Sequence, residues 1–245
     1  MAAIKLLRQS VIDLFNYLLP PACALCLARL EPPDPDHFCS VCTEQIPELG
    51  KARCPHCALP YPAPENPAHL CKTCLTEKRP LFSGVTAIGR YDGLLREAVH
   101  RLKYRGDINL DRPLANLLVR RLRQDKVRAT IAIPVPLHAS KTRQRGYNQS
   151  ALLATRIGRR LDIPVATDLL ARHRPGLPQQ QLAAADRIDN IKGAFALRRP
   201  VDGEDILLID DVMTTGATAR ECARVLGAGG AASVHLAILA RAPLK

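Results

Sequence analysis

From residue 85 onward the chain alternates compact apolar runs with stretches in which apolar residues recur every three or four positions. VTAIGRY (85–91), TIAIPVP (130–136), DILLIDD (205–211) and SVHLAILA (233–240) read as strands, with 130–136 and 205–211 apolar enough to be buried. GLLREAVHRLK (93–103), PLANLLVRRLRQ (113–124), SALLATRIGRRL (150–161) and residues 216–227 read as helices. This alternation predicts an α/β fold, a parallel sheet covered by helices on both faces, in which ligands collect at the C-terminal ends of strands. At the start of the chain Ile4, Leu7, Val11, Leu14 and Leu18 form one apolar stripe. It predicts an amphipathic helix within residues 1–20 that packs on the rest of the chain or on a partner.

Residues 21–82 follow neither period. Pro is dense there and aromatics are scarce; what recurs is cysteine. Eight of the nine cysteines form four Cys-x-x-Cys pairs: Cys23 and Cys26, Cys39 and Cys42, Cys54 and Cys57, Cys71 and Cys74. A Cys-x-x-Cys turn aims two thiolates at one tetrahedral metal, and a second turn a short hairpin away closes the shell. The spacing therefore predicts a double zinc ribbon with two structural Zn2+. Pairing in sequence order is the simplest assignment; interleaved pairing fits the same spacing. Disulfides and an iron-sulfur cluster are the competing readings, and His37, His56 and His69 are read as bystanders because eight thiolates already fill eight positions. With so little apolar material, metal is expected to replace a hydrophobic core, so that losing a ribbon leaves ligand binding elsewhere largely intact.

Charge divides the chain at the same place. Residues 1–82 hold eight basic and eight acidic side chains, so the whole net charge of +12 belongs to residues 83–245. Three segments follow: 1–20, the ribbons at 21–82, and a basic α/β domain at 83–245. Between Lys126 and Leu161 there are eight basic residues and no carboxylate, a stretch suited to phosphates on a small ligand or along a nucleic acid. No apolar stretch reaches the ~18 residues that cross a bilayer, and Lys5, Arg8 and Asp13 interrupt any signal-peptide core. The expected compartment is the cytoplasm, where thiols stay reduced.

One strand end carries chemistry. ILLIDDVMTTGAT (206–218) places Asp210 and Asp211 where an apolar run stops, then passes through Thr214, Thr215, Gly216 and Thr218 into a helix. Small and hydroxylated residues at a helix N-terminus hold a phosphate, and carboxylates just before them accept hydrogen bonds from vicinal hydroxyls. A ribose 5-phosphate meets both demands. The competing reading makes Asp211 and Thr215 helix caps and Asp210 a solvated strand end. Cys222 shares a helical stripe with Ala219, Ala223 and Leu226 and reads as a core thiol. Tyr147 and Asn148 are candidates to stack on, or hydrogen-bond to, a base.

The 206–218 segment resembles the phosphoribosyl pyrophosphate (PRPP) motif of type I phosphoribosyltransferases. With the double zinc ribbon ahead of it, the chain resembles the ComF family over nearly its whole length. Further matching segments are LKYRGD (102–107), IPVPLHASKTRQRGYNQS (133–150), and residues 172–195 with Gln179, Leu182, Arg187, Asn190, Gly193, Ala194 and Phe195. Gly176 departs from the family, which commonly carries Thr there. The resemblance implies that Asp210 and Asp211 meet the ribose hydroxyls and that Thr214, Thr215, Gly216 and Thr218 hold the 5-phosphate. It implies further that pyrophosphate lies near Pro136, Leu137 and His138, with Mg2+ bridging it to the sugar and Lys141, Arg143 and Arg145 neutralising it. No residue is identified that would activate an acceptor. The implied function is PRPP binding, with or without phosphoribosyl transfer, linked to DNA uptake in natural competence. Competence-machinery proteins and single-stranded DNA are the implied partners. The alternative is a non-catalytic single-stranded DNA accessory factor for which PRPP is at most regulatory.

Overall fold

A computed structural model describes residues 20–31, 37–62, 68–77, 79–173 and 191–243, together with Leu14, Tyr17 and Leu18. Most of the expected N-terminal stripe, and Gly176, Gln179, Leu182, Arg187 and Asn190, lie outside the described residues.

The large domain is built on four parallel strands: β1 (Gly84–Arg90), β2 (Ile131–Pro134), β5 (Asp205–Met213) and β6 (Ser233–Arg241), in the order β1-β6-β5-β2. Two short strands, β3 (Leu170–Arg172) and β4 (Phe195–Leu197), form a separate antiparallel ladder. Helices α3 (Gly93–Tyr104), α4 (Asp111–Gln124), α5 (Ala139–Arg145), α6 (Gln149–Leu161) and α7 (Ala217–Ala228) complete the domain. Two five-residue helices, α1 (Ser40–Glu44) and α2 (Lys72–Thr76), each start directly after a ribbon cysteine.

The period of two along the central strands assigns the cores. Leu207 and Ile209 of β5, with Ala237 and Leu239 of β6, face one way and pack with Leu95, Leu102, Leu114, Leu118, Leu153 and Ile157 of α3, α4 and α6. Ile206, Leu208, Leu236 and Ile238 face the other way, onto Ala219, Cys222, Ala223 and Leu226 of α7. Cys222 is thus a fully buried core thiol, and burial pushes it well above its ordinary range.

The ribbons are not free-standing, which corrects the expectation that metal alone replaces a core. Cys23, Leu30, Phe38, Cys42 and Ile46 of the first share the core of α3, α4 and α6. Cys54, Cys57, Ala58, Leu59, Cys71 and Cys74 of the second share the core under α7. The segment between them crosses the β1 edge, where the Pro47 carbonyl accepts from Arg90 N–H at 3.0 Å. Gly89 permits this approach, since a Cβ there would lie 2.0 Å from the Pro47 oxygen. The apolar content that the ribbons lack internally is supplied by the large domain.

No helix among the described residues is long and apolar enough to cross a membrane.

Candidate functional site

Strand β5 runs two residues further than the apolar pattern indicates, pairing Val212 with Ala240 and Met213 with Arg241, so Asp210 and Asp211 sit within the strand's last turn of pleat. Being adjacent, they point to opposite sides of the strand and acquire different partners. Asp210 Oδ1 accepts from Ser150 Oγ at 3.1 Å and from Asp211 N–H at 2.9 Å. Burial, reinforced by the neighbouring Asp211, lifts the Asp210 carboxyl to about 7 despite these bonds and Lys103. Asp211 Oδ1 pairs with Lys103 Nζ at 2.8 Å and accepts from Val212 N–H at 2.6 Å. Burial opposes the charge on Lys103, but Asp211, with Asp210 behind it, outweighs burial and raises the ammonium.

The turn after β5 departs from the capping alternative. The N-cap of α7 is Gly216, which contributes no side-chain cap, and Asp211 is engaged by Lys103. Thr215 Oγ1 makes one long contact, 3.4 Å, with Ala217 N–H. Gly216 adopts φ +83°, and a Cβ there would stand 2.3 Å from Met213 Cε, so the turn admits glycine alone without rearrangement.

The opposite wall comes from the chain after β2. Val135, Pro136 and Leu137 line the cleft, followed by α5. Lys141 and Arg145, four residues apart, face the cleft together; Arg143, on the other side of that helix, is exposed and lines an adjoining recess. His138 caps α5, accepting from Ser140 N–H at 3.2 Å through Nδ1. Of the pyrophosphate-side candidates, Pro136, Leu137, Lys141 and Arg145 therefore meet the carboxylates across one cleft of about 480 Å3, while His138 and Arg143 do not line it.

Lys103, Tyr104, Gln144 and Arg172 also line the cleft, and the sequence pattern assigns them no individual role. Lys103 lies in the LKYRGD segment, a signal that was available. Among the described residues, the charged lining comprises four Lys and Arg side chains against two carboxylates. Burial, then Arg172, Arg145 and Lys103, pull the Lys141 charge below its ordinary range. Such a cluster is relieved by an anion. Tyr147 and Asn148, the candidates to meet a base, are both engaged within the fold: the Tyr147 hydroxyl donates to the Leu102 carbonyl, and Asn148 caps α6 through Ser150 N–H at 3.0 Å while donating to the Val135 carbonyl at 3.0 Å.

The cysteines assemble as Cys23, Cys26, Cys39 and Cys42, and as Cys54, Cys57, Cys71 and Cys74, with ligand atoms within 4.8 Å of one another in each group. Pairing follows sequence order, and no His belongs to either group. All nine cysteines are free; Cys26 and Cys39 sulfurs approach to 3.5 Å and those of Cys57 and Cys71 to 3.6 Å, far beyond a disulfide's ~2.05 Å. Burial and neighbouring sulfurs push Cys42 and Cys74 well up, so four thiolates require a cation among them. A tetrahedral Zn2+ is the cation that four clustered thiolates fit, in a closed and therefore structural shell.

Two closed four-cysteine groups, set against a parallel sheet whose acidic strand turns through Thr-Thr-Gly into a helix, define a double zinc ribbon joined to a phosphoribosyltransferase-type α/β domain. Residues 14–77 match the model of the double zinc ribbon domain and residues 148–245 that of the phosphoribosyl transferase domain. The chain is 34% identical to "Competence protein F" of Haemophilus influenzae over 84% of its own length and 90% of that protein's. It is 32% identical to "DNA utilization protein YhgH" of Salmonella typhimurium, over 83% and 90% of the two lengths. Identity to "Competence protein ComFC" of Bacillus subtilis is 26%, over 84% and 85%. The chain belongs to the ComF family.

Proposed function

We propose that this protein binds PRPP together with Mg2+ and acts as a phosphoribosyltransferase-like component of DNA uptake. The observation that carries the reading is the meeting, in one cleft, of the Asp210 and Asp211 pair, the residue 214–218 turn and the cations of α5. Asp210 and Asp211 accept from the ribose hydroxyls, with Lys103 holding Asp211 in place. Thr214, Thr215, Gly216 and Thr218 receive the 5-phosphate at the start of α7, where the N-cap Gly216 supplies no side chain. Lys141 and Arg145 offset the pyrophosphate beside Pro136 and Leu137. Mg2+ bound with the ligand supplies further charge neutralisation, and Asp210 and Asp211 are the carboxylates among the described lining residues that it can meet.

Transfer requires only that the chain orient PRPP and offset the charge that develops on the leaving pyrophosphate, both of which this lining is equipped to do. The link to DNA rests on the names of the relatives. Direct contact with single strands is supported by exposed Lys126, Arg128, Arg143 and Arg159 in the carboxylate-free stretch, and predicts weak, strongly salt-dependent binding with little sequence preference. Calorimetric titration with PRPP and Mg2+, followed by a screen of bases and amines for pyrophosphate release, tests the reading. Saturable binding of one PRPP per chain is expected; its absence, with zinc content intact, contradicts the proposal.

A further inference from the structure

We infer that Arg241 is a positioning residue that makes the second zinc ribbon a structural part of the phosphate site; the inference rests on the phosphate role proposed above for the turn after β5. Arg241 is the last residue of β6 and only 2% exposed. Its Nε donates to the Cys57 carbonyl at 3.0 Å, inside the second Cys-x-x-Cys group. Its Nη1 donates to the carbonyls of Met213 at 2.9 Å, Ala242 at 2.8 Å and Thr214. One planar guanidinium thus ties the metal knuckle to the two residues that lead into the phosphate turn.

The far side of that turn is fastened to the same knuckle. Arg220, in the first turn of α7, reaches Cys74 Sγ with Nη2 at 3.5 Å and pairs with Glu77. Its Nε would stand 3.4 Å from a Cβ at Gly216, so the guanidinium lies against the turn itself. Burying two guanidinium groups is unfavourable without nearby negative charge. Glu77 supplies part of it to Arg220, and four thiolates around one Zn2+, with a formal charge of about −2, would supply it to both arginines. Metal, knuckle, arginines and turn are therefore one electrostatic unit. A lysine cannot replace Arg241, because an ammonium lacks the fork that addresses several carbonyls in a fixed plane.

The test uses the full-length, zinc-loaded protein. Amide exchange over residues 213–218 reads the order of the turn without ligand. Arg241→Lys is expected to keep both zinc ions yet exchange there at least about tenfold faster, the worth of one charge-assisted hydrogen bond. Cys54→Ser, which removes a ligand of the second zinc, should speed exchange over the same residues; Cys26→Ser, in the first ribbon, should leave the turn within about twofold of the parent protein. PRPP affinity should fall further in the first two variants than in the third. Reciprocal coupling provides a readout that mere support of the fold does not move: saturating PRPP should slow zinc release from the second ribbon to a chelator, and Arg241→Lys should abolish that protection. Where Cys54→Ser fails to fold, timed chelation of the parent protein makes the same comparison. Unchanged exchange in Arg241→Lys, or protection by PRPP that persists in it, overturns the inference. A parent protein that binds no PRPP but shows the exchange effects sinks the proposed ligand and leaves the positioning role standing.

Discussion

The two ribbons carry the same cysteine signature and differ in what they are built against. In the first, Cys26 is exposed and Cys39 half-buried, and Arg101 of α3 fastens the knuckle by donating to the Ala24 and Leu25 carbonyls at 2.7 and 3.3 Å. In the second, all four cysteines are buried, and the fastening arginines come from the end of β6, where Arg241 also holds the turn after β5, and from the first turn of α7. The first therefore braces a helix whose last turn presents Lys103 to Asp211, whereas the second abuts the turn itself. The two knuckles thus share one ligand set and differ in which charged groups of the large domain reach them.

Stripping both metals breaks the comparison most severely. Structural zinc contributes on the order of 10 kcal/mol, so both knuckles should lose their fold. Release to a chelator, followed with a colorimetric indicator, should proceed in two steps, with the exposed Cys26 group emptying first. Simultaneous loss would equate the ribbons. Next in size is Asp211→Asn, which leaves a largely buried Lys103 without its counter-charge. Urea denaturation should register a loss of about 3 kcal/mol. Arg101→Met removes two carbonyl contacts and the pair with Asp107, and should cost about 2 kcal/mol while speeding zinc release from the first ribbon alone.

The smallest effect is a pH dependence that belongs to the site and not to the ribbons. The folded Asp210 carboxyl sits at about 7, above its ordinary 3.8, so the native state holds the proton more tightly than the unfolded chain. Stability is then greatest below the unfolded value and falls as pH rises toward the folded one. Between about pH 6 and 8, where zinc stays bound, ligand-free protein should lose about 1 kcal/mol that Asp210→Asn does not lose. Thermal melts of the two proteins at matched pH check this.

The legible parts of this fold were those specified by local spacing. Cys-x-x-Cys pairs a short hairpin apart place their ligands together whatever surrounds them, and the four sheet strands announce themselves as apolar runs. Helix α5 escaped notice because it buries no residue and so has no apolar stripe, although two of its cations line the cleft. The three-residue strands β3 and β4 are too short to show a period. Asp210 and Asp211 hid the end of β5, because a pair of carboxylates ordinarily marks the close of a strand. Lys103 and Arg241 look like solvated charges in sequence; their roles come from partners more than a hundred residues away. The division at residue 82, so clear in the charge balance, does not appear in the packing, where each ribbon completes a core of the large domain.

The most direct test of a PRPP site built on β5 is the affinity of Asp210→Asn for PRPP and Mg2+, measured by calorimetry beside its melting temperature. Relieving two crowded carboxylates should leave the fold as stable as the parent or more so, which separates ligand from structure in a way that Asp211→Asn cannot. Loss of a charge-assisted bond to a ribose hydroxyl should weaken binding by about tenfold or more. A variant that melts no lower than the parent and binds PRPP with unchanged affinity would contradict the account.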